Sequence, residues 1–199
     1  MNHWIILTIL LSVISPVFYT RSILAHKAQP HRVTRFIVLI ASISGILGIL
    51  HSTNKAGIIF ALIFLTRALY LFVLSIMYGV GGASRSDKAC LVIGLISVLT
   101  YSFTGNGWAA VLLGILADFI GYIPTFIKTW KKPESEDPLF FSIEGMASLA
   151  GVFAIGEFRV DILFPIYFVA SSLMVIALIY RKKIAKIFKK SSLPTDIPL

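Results

Sequence analysis

Seven apolar runs follow one another along this chain, separated by short stretches that hold most of its charge, and this alternation constrains the fold more than any other feature. The runs are Trp4 to Thr20, Phe36 to Leu50, Gly57 to Val80, Ala89 to Phe103, Trp108 to Trp130, Leu139 to Gly156 and Ile162 to Tyr180. A helix needs about 20 apolar residues to cross a bilayer, so seven crossings consume about 140 residues. Only loops and a tail remain of the 199, with no room for a separate soluble catalytic domain. A hydrophobic fraction of 57% beside 14% charged residues agrees, since soluble domains carry about 25% charge. The chain is therefore expected to be an all-α integral membrane protein of seven transmembrane helices. The separators, His26 to Arg35, His51 to Lys55, Gly81 to Lys88, Thr104 to Gly107, Lys131 to Pro138 and Glu157 to Asp161, carry the usual breakers and polar residues. The short second and fourth runs borrow flanking residues or cross a thinner part of the bilayer. The first run has no basic segment before Trp4 and is followed by Arg21 rather than small residues, so it reads as a helix and not a cleaved signal peptide.

Placing the basic residues on alternating sides gives a sharp asymmetry. One side receives Arg21, Lys27, Arg32, Arg35, Arg85, Lys88, Lys128, Lys131, Lys132, Arg181, Lys182, Lys183, Lys186, Lys189 and Lys190, which is 15 of the 18 Lys and Arg. The other side has Lys55 and Arg159, and Arg67 lies inside a span. Basic loops stay in the cytoplasm, so the C-terminus is expected there and, with seven spans, the N-terminus outside, in a multi-pass protein of the plasma membrane. The formal net charge of +9 is then mostly a topological label, and no nucleic-acid partner is implied. The tail from Arg181 to Lys190 sets basic residues at near-helical intervals beside Ile184, Ile187 and Phe188, and is expected to extend helix 7 along the anionic cytoplasmic surface.

The chain also resembles itself. Shifted by 108, Pro16, Phe18 and Pro30 fall on Pro124, Phe126 and Pro138; shifted by 106, the stretch Ala41 to Ile49 falls on Ala147 to Ile155 with four of nine positions identical. Helices 1 to 3 would then be equivalent to helices 5 to 7, with helix 4 as connector: a 3+1+3 arrangement of parallel triple-helix repeats. The units are residues 1–82, the connector 83–106, residues 107–183, and a basic tail over 184–199. Such duplications recur in secondary transporters, whose substrate sits near the midplane between the halves.

The segment from Asp118 through Tyr122, Pro124, Thr125, Lys128 and Pro133 to Glu136 resembles the second signature region of PQ-loop proteins, the superfamily that contains the SWEET sugar transporters, and Ser15-Pro16 to Arg21 resembles a weaker first copy. The resemblance covers essentially the whole chain. It departs where Val17 and Thr125 replace the glutamine after the proline, and where helices 2 and 6 lack the prolines of SWEET transporters. It implies a SWEET-like transporter built on the same 3+1+3 plan, or a non-transporting receptor or scaffold of the same superfamily.

Within that plan a few residues stand where a bilayer penalises them. Asp118, about ten residues into helix 5, costs at least about 2.5 kcal/mol if ionised at mid-bilayer, so it should face a cavity, be paired or be protonated. Asp118, Tyr122 and Thr125 recur at i, i+4 and i+7 as one polar stripe. The stripe suits proton coupling; a static ion pair is the competing reading. Arg67 reaches a similar depth and could pair with Asp118 or bind a substrate carboxylate. Glu144 shares a face with Ser148 and Gly151 and is either a pathway residue or a charge at the cytoplasmic mouth near Lys128 or Lys131. Tyr167, Ser171 and Ser172 are candidates for a cavity lining, although serine often bonds its own helix. Pro16 and Pro124 remove backbone donors inside helices and are hinge candidates or static kinks. Pro133 and Pro138 punctuate a loop. Trp4, Trp108 and Trp130 suit interfacial belts.

Other chemistries have less support. His3, His26, His31 and His51 lack ligand spacing, Cys90 is the one cysteine, and Gly79, Gly81 and Gly82 form a loop rather than a phosphate cradle, so neither metal nor cofactor is expected. No paired acidic motif or nucleophile with a base suggests an enzyme. A retinal Schiff base would need a lysine in helix 7, and none stands between Asp161 and Arg181. The leading expectation is a transporter of a small polar solute (sugar, amino acid or carboxylate), with proton coupling open and a homo-oligomer compatible with it. Arg67, Asp118, Tyr122, Thr125, Glu144 and Ser148 would form its pathway.

Overall fold

The computed structural model describes residues 3–49, 53–81, 85–104 and 106–191. It is helical, with α1 (His3–Leu24), α2 (Arg32–Gly48), α3 (Lys55–Tyr78), α4 (Arg85–Thr104), α5 (Gly107–Lys131), a 3₁₀ turn (Pro133–Ser135), α6 (Pro138–Ile155) and α7 (Val160–Ser191). Five of them, α1, α3, α5, α6 and the Val160–Arg181 part of α7, are long and apolar enough to cross a membrane. Residues 192–199 of the basic tail, Gly82 and His51 lie outside the described residues.

Three helices start where the sequence offers a side-chain cap. The side chains of Asn54, Asn106 and Asp137 accept hydrogen bonds from backbone amides of the first turns of α3, α5 and α6, the amides that no helical carbonyl can satisfy. Pro138 is the first residue of α6, where its missing N–H costs nothing, rather than a loop residue. Gly156 ends α6 in the left-handed conformation at φ 71°. Several helices reach beyond their apolar runs, α1 to Leu24 and α4 back to Arg85 among them. Helix α2 begins at Arg32, which draws Arg35 out of the anticipated loop and into the bundle. Helix α7 continues past Tyr180 to Ser191, as the near-helical spacing of the basic tail implies.

Helix α1 turns a polar face inward and an apolar face outward. Thr8, Ser12, Ser15 and Tyr19 of α1 are buried while Leu10, Val13 and Val17 are exposed. A soluble bundle reverses that distribution; here the outward apolar faces suit a hydrocarbon solvent. Inside, α3 packs between α1 and α2, and α7 between α5 and α6. Helix α1 also lies on α6, α2 on α5, and α4 against α2 and α5.

Contacts gather the helix ends into two sets. At one end the loop after α3 bonds the loop before α2, with Val80 N–H donating to the Pro30 carbonyl and Arg32 N–H to the Val80 carbonyl. Lys128 of α5 bonds the Gln29 carbonyl, Ser22 of α1 bonds Asp137 before α6, and Arg181 of α7 bonds the Thr129 and Trp130 carbonyls of α5. At the other end Trp4 stacks near Phe153, and Asn54 donates to the Ile155 carbonyl. There Gly107 approaches Gly48 so closely that a Cβ would stand 2.3 Å from the Gly48 carbonyl oxygen. Successive helices therefore run in opposite directions, and the loop carrying Lys27 and those flanked by Lys128 to Lys132 and by Arg32 share one end.

An aromatic column joins α3 to α7. Phe64 and Phe168 stack with centroids 3.9 Å apart, extended by Phe60 and Phe164. Gly45 of α2 faces Phe164, and Gly151 of α6 faces Phe60; a Cβ at either would come within 2.7 Å and 2.6 Å of the ring. The inward faces of α1 and α5 coincide at a shift of 106, not 108. Thr8, Ser12, Ser15, Pro16, Tyr19 and Ile23 are buried, as are Gly114, Asp118, Gly121, Tyr122, Thr125 and Thr129. The expected match of Pro16 with Pro124 therefore fails: Pro16 is buried on the inner face, while Pro124 is only half-buried.

Candidate functional site

The buried charges form a chain through the middle of the bundle. Asp118 is 0% exposed, carried inward by the α5 face that also buries Gly114, Gly121 and Tyr122. Tyr167 of α7 donates its hydroxyl hydrogen to Asp118 Oδ2 at 2.6 Å, while Asp118 Oδ1 has no hydrogen-bond partner. Arg67 of α3 pairs with Glu144 of α6, Nη2 to Oε1 at 2.7 Å. The Arg67 guanidinium also lies 4.4 Å from the Phe64 ring centroid, a cation–π contact in a desolvated setting. Arg67 is thus paired with Glu144, not with Asp118. Nor is Glu144 a partner of Lys128, whose ammonium meets Glu136 at 2.6 Å.

Arg35 is the residue that sequence reading missed. It is buried, with its guanidinium over the Tyr19 ring at 5.0 Å and over Phe140 at 5.4 Å. The Tyr19 hydroxyl donates to Glu136 Oε2 at 2.9 Å, and Glu136 Oε1 receives Lys128. Tyr122 is buried one turn along α5 from Asp118, on the same inward face. Arg67 and Glu144 cancel each other's formal charge, which is what a buried pair requires.

The remaining candidates divide. Thr125 donates to Thr34 Oγ1 at 3.1 Å, and Thr34 to the Gly121 carbonyl at 2.7 Å, so Thr125 fastens α5 to α2. Ser148 is buried on α6, one turn beyond Glu144. Ser171 bonds the Phe168 carbonyl of its own helix. Toward the end opposite the basic loops, Ser42, Gly45, Gly57, Phe64, Asp161 and Phe164 border a cavity of about 20 Å³, room for about one water. Among the described residues, no three His, Cys, Asp or Glu side chains gather into a group that could hold a metal ion.

What this arrangement can do is bind and exchange charge. Arg67 and Glu144 form a neutral buried pair between α3 and α6, and Asp118 keeps one carboxylate oxygen without a hydrogen bond beside the Tyr167 hydroxyl. No family model, no curated protein and no solved structure matches the chain.

Proposed function

We propose that this chain is a PQ-loop, SWEET-like transporter of the plasma membrane. It would move a small polar solute by rocking two three-helix units about the buried cluster. The observation that carries the reading is where the cluster's charges come from: Arg35 and Arg67 belong to α2 and α3, Asp118 and Glu144 to α5 and α6. Any rocking of one half against the other must therefore break or remake pairs between them.

The 3+1+3 plan draws support from the packing. Exchanging α1 with α5, α2 with α6 and α3 with α7 turns the α1–α3 contact into α5–α7, α2–α3 into α6–α7, and α1–α6 into α5–α2. The same exchange turns Gly45 against Phe164 into Gly151 against Phe60. Helix α4 stands outside this scheme as the connector. The outside N-terminus and cytoplasmic C-terminus follow from the basic loops sharing one end. Proton coupling draws support from Asp118, whose free Oδ1 is the acceptor that an incoming proton would occupy.

Uptake by purified protein in liposomes, with a panel of sugars, amino acids and carboxylates with and without a pH gradient, tests both parts. Uptake of one class, faster with the gradient, is expected, and Asp118→Asn should transport without responding to the gradient. Full pH dependence in Asp118→Asn would remove the proton-carrier role. No uptake above protein-free liposomes would favour a receptor or scaffold.

A further inference from the structure

Arg35 and Asp118 are buried charges of opposite sign that no ion pair neutralises. Arg35 is 4% exposed and Asp118 0%, and neither forms a salt bridge among the described residues, where the interior pairs join Arg67 to Glu144 and Lys128 to Glu136. What touches each of them is neutral. The rings of Tyr19 and Phe140 cover the Arg35 guanidinium, and the Tyr167 hydroxyl meets one oxygen of Asp118 while the other has no hydrogen-bond partner. Glu136 accepts the Tyr19 hydroxyl, but its charge is matched by Lys128. Asp161 is buried at the opposite end, in the first turn of α7, where a helix N-terminus favours negative charge.

The two charges are neutralised by different means. A carboxylate can take up a proton, whereas a guanidinium does not lose one inside a protein, so Arg35 can be neutralised only by an anion brought to it. Three positive groups, Arg35, Arg67 and Lys128, stand against three negative ones, Asp118, Glu136 and Glu144, and their formal charges cancel. A proton on Asp118 leaves one positive charge over. A neutral sugar or a zwitterionic amino acid would not remove it, whereas a monoanion would. Among monoanions, a carboxylate has the planar shape that a guanidinium holds through two parallel hydrogen bonds. The position of Arg35 agrees. Its neighbour Thr34 donates to the Gly121 carbonyl and accepts from Thr125, which sets Arg35 level with the turn of α5 that follows Asp118. The rings that cover it come from both halves, Tyr19 from α1 and Phe140 from α6, so rocking one half against the other would uncover it.

We propose that Arg35 receives the carboxylate of a small monocarboxylate, and that this solute crosses together with one proton on Asp118, so that no net charge moves. The proposal rests on the transporter reading and narrows its solute to one class.

Binding and uptake test it separately, with radiolabelled lactate, pyruvate and gluconate as probes. In equilibrium dialysis of the full chain in micelles, at least one of them should bind saturably, and Arg35→Gln should weaken that binding about tenfold or more, a loss of ~1.4 kcal/mol or more. Arg35→Lys, which keeps the charge without the planar fork, should fall between the two. In liposomes the same probe should enter along an inward proton gradient, faster than into protein-free vesicles, at a rate that a potassium potential set with valinomycin does not change. Uptake of glucose or alanine without uptake of any of the three acids would overturn the proposal and leave the transporter reading standing. No uptake of any solute would overturn the transporter reading and the paired crossing with it, and the dialysis would still decide whether Arg35 holds a carboxylate. Uptake that follows the imposed potential, displacement of the probe by chloride as effective as by unlabelled acid, or binding unchanged in Arg35→Gln would each overturn the proposal. The potential and chloride measurements need no variant, so they decide even if Arg35→Gln fails to fold.

Discussion

At the scale of single residues, the Arg67–Glu144 pair is where charge most constrains the protein. Removing one partner of a buried pair leaves the other uncompensated, at a cost of about 3–5 kcal/mol. Arg67→Ala is expected to lose about that much in reversible unfolding from micelles, and Glu144→Ala likewise. Replacing both with glutamine removes the charges together and should cost clearly less than the sum of the two single glutamine changes. A strictly additive double variant would mean that the two side chains do not interact. Tyr167→Phe is expected to be mild by comparison, about 0.5–1 kcal/mol, because hydrogen bonds inside membrane bundles average well under the value of a charge pair. Arg35 explains why this centre was only partly legible in the sequence. A guanidinium three residues after Arg32 reads as one more loop charge, and nothing local says that Tyr19 and Phe140, far away along the chain, will cover it. The inward stripe of α1, Thr8, Ser12, Ser15 and Tyr19 at helical spacing, was the signal that could have marked α1 as a wall of the polar interior.

At the scale of helices, close approach depends on two glycines in comparable settings. A methyl at Gly45 would stand 2.7 Å from Phe164 Cε2, and one at Gly151 2.6 Å from Phe60 Cδ2. Both rings belong to the column around Phe64 and Phe168, which leaves them little freedom to turn aside. Gly45→Ala and Gly151→Ala should each cost about 1–3 kcal/mol, the usual penalty for overpacking, measured by the same unfolding assay. Losses that differ widely between them would argue against equivalent roles in two repeated units. Helix existence and order were readable because apolar runs must be helical in a bilayer, whatever surrounds them. Helix ends were less readable because a charge was taken as a boundary. Burial against aromatics draws Arg35 inside α2, whereas the near-helical spacing of the basic tail does foretell that α7 runs on to Ser191. Matching prolines and matching buried faces give different registers between α1 and α5: the buried faces set Pro16 opposite Tyr122 rather than Pro124.

At the scale of the whole molecule, burial changes the count of charges that can set orientation. Arg35, held inside the bundle, no longer counts as a loop charge, which leaves 14 of the 18 basic residues for the end that also carries the Lys128–Glu136 contact. The two assigned to the opposite end are Lys55 and Arg159. Acidic residues contribute little to orientation, so a cysteine can replace a glutamate at each end without disturbing it. Glu134 and Glu157 are both exposed, Glu134 in the turn between α5 and α6 and Glu157 between α6 and α7. In a Cys90→Ala background, a membrane-impermeant maleimide added to intact cells should label Glu157→Cys and spare Glu134→Cys until the membrane is opened. The reverse pattern would invert the protein and contradict the positive-inside assignment. Labelling of both in intact cells would break the alternation of α5, α6 and α7, and protection of both until lysis would place the protein in a membrane other than the plasma membrane. The expected pattern would also place the Lys128–Glu136–Tyr19 contacts, which tie α1, α5 and the turn before α6 together on the Glu134 side, at the cytoplasmic end.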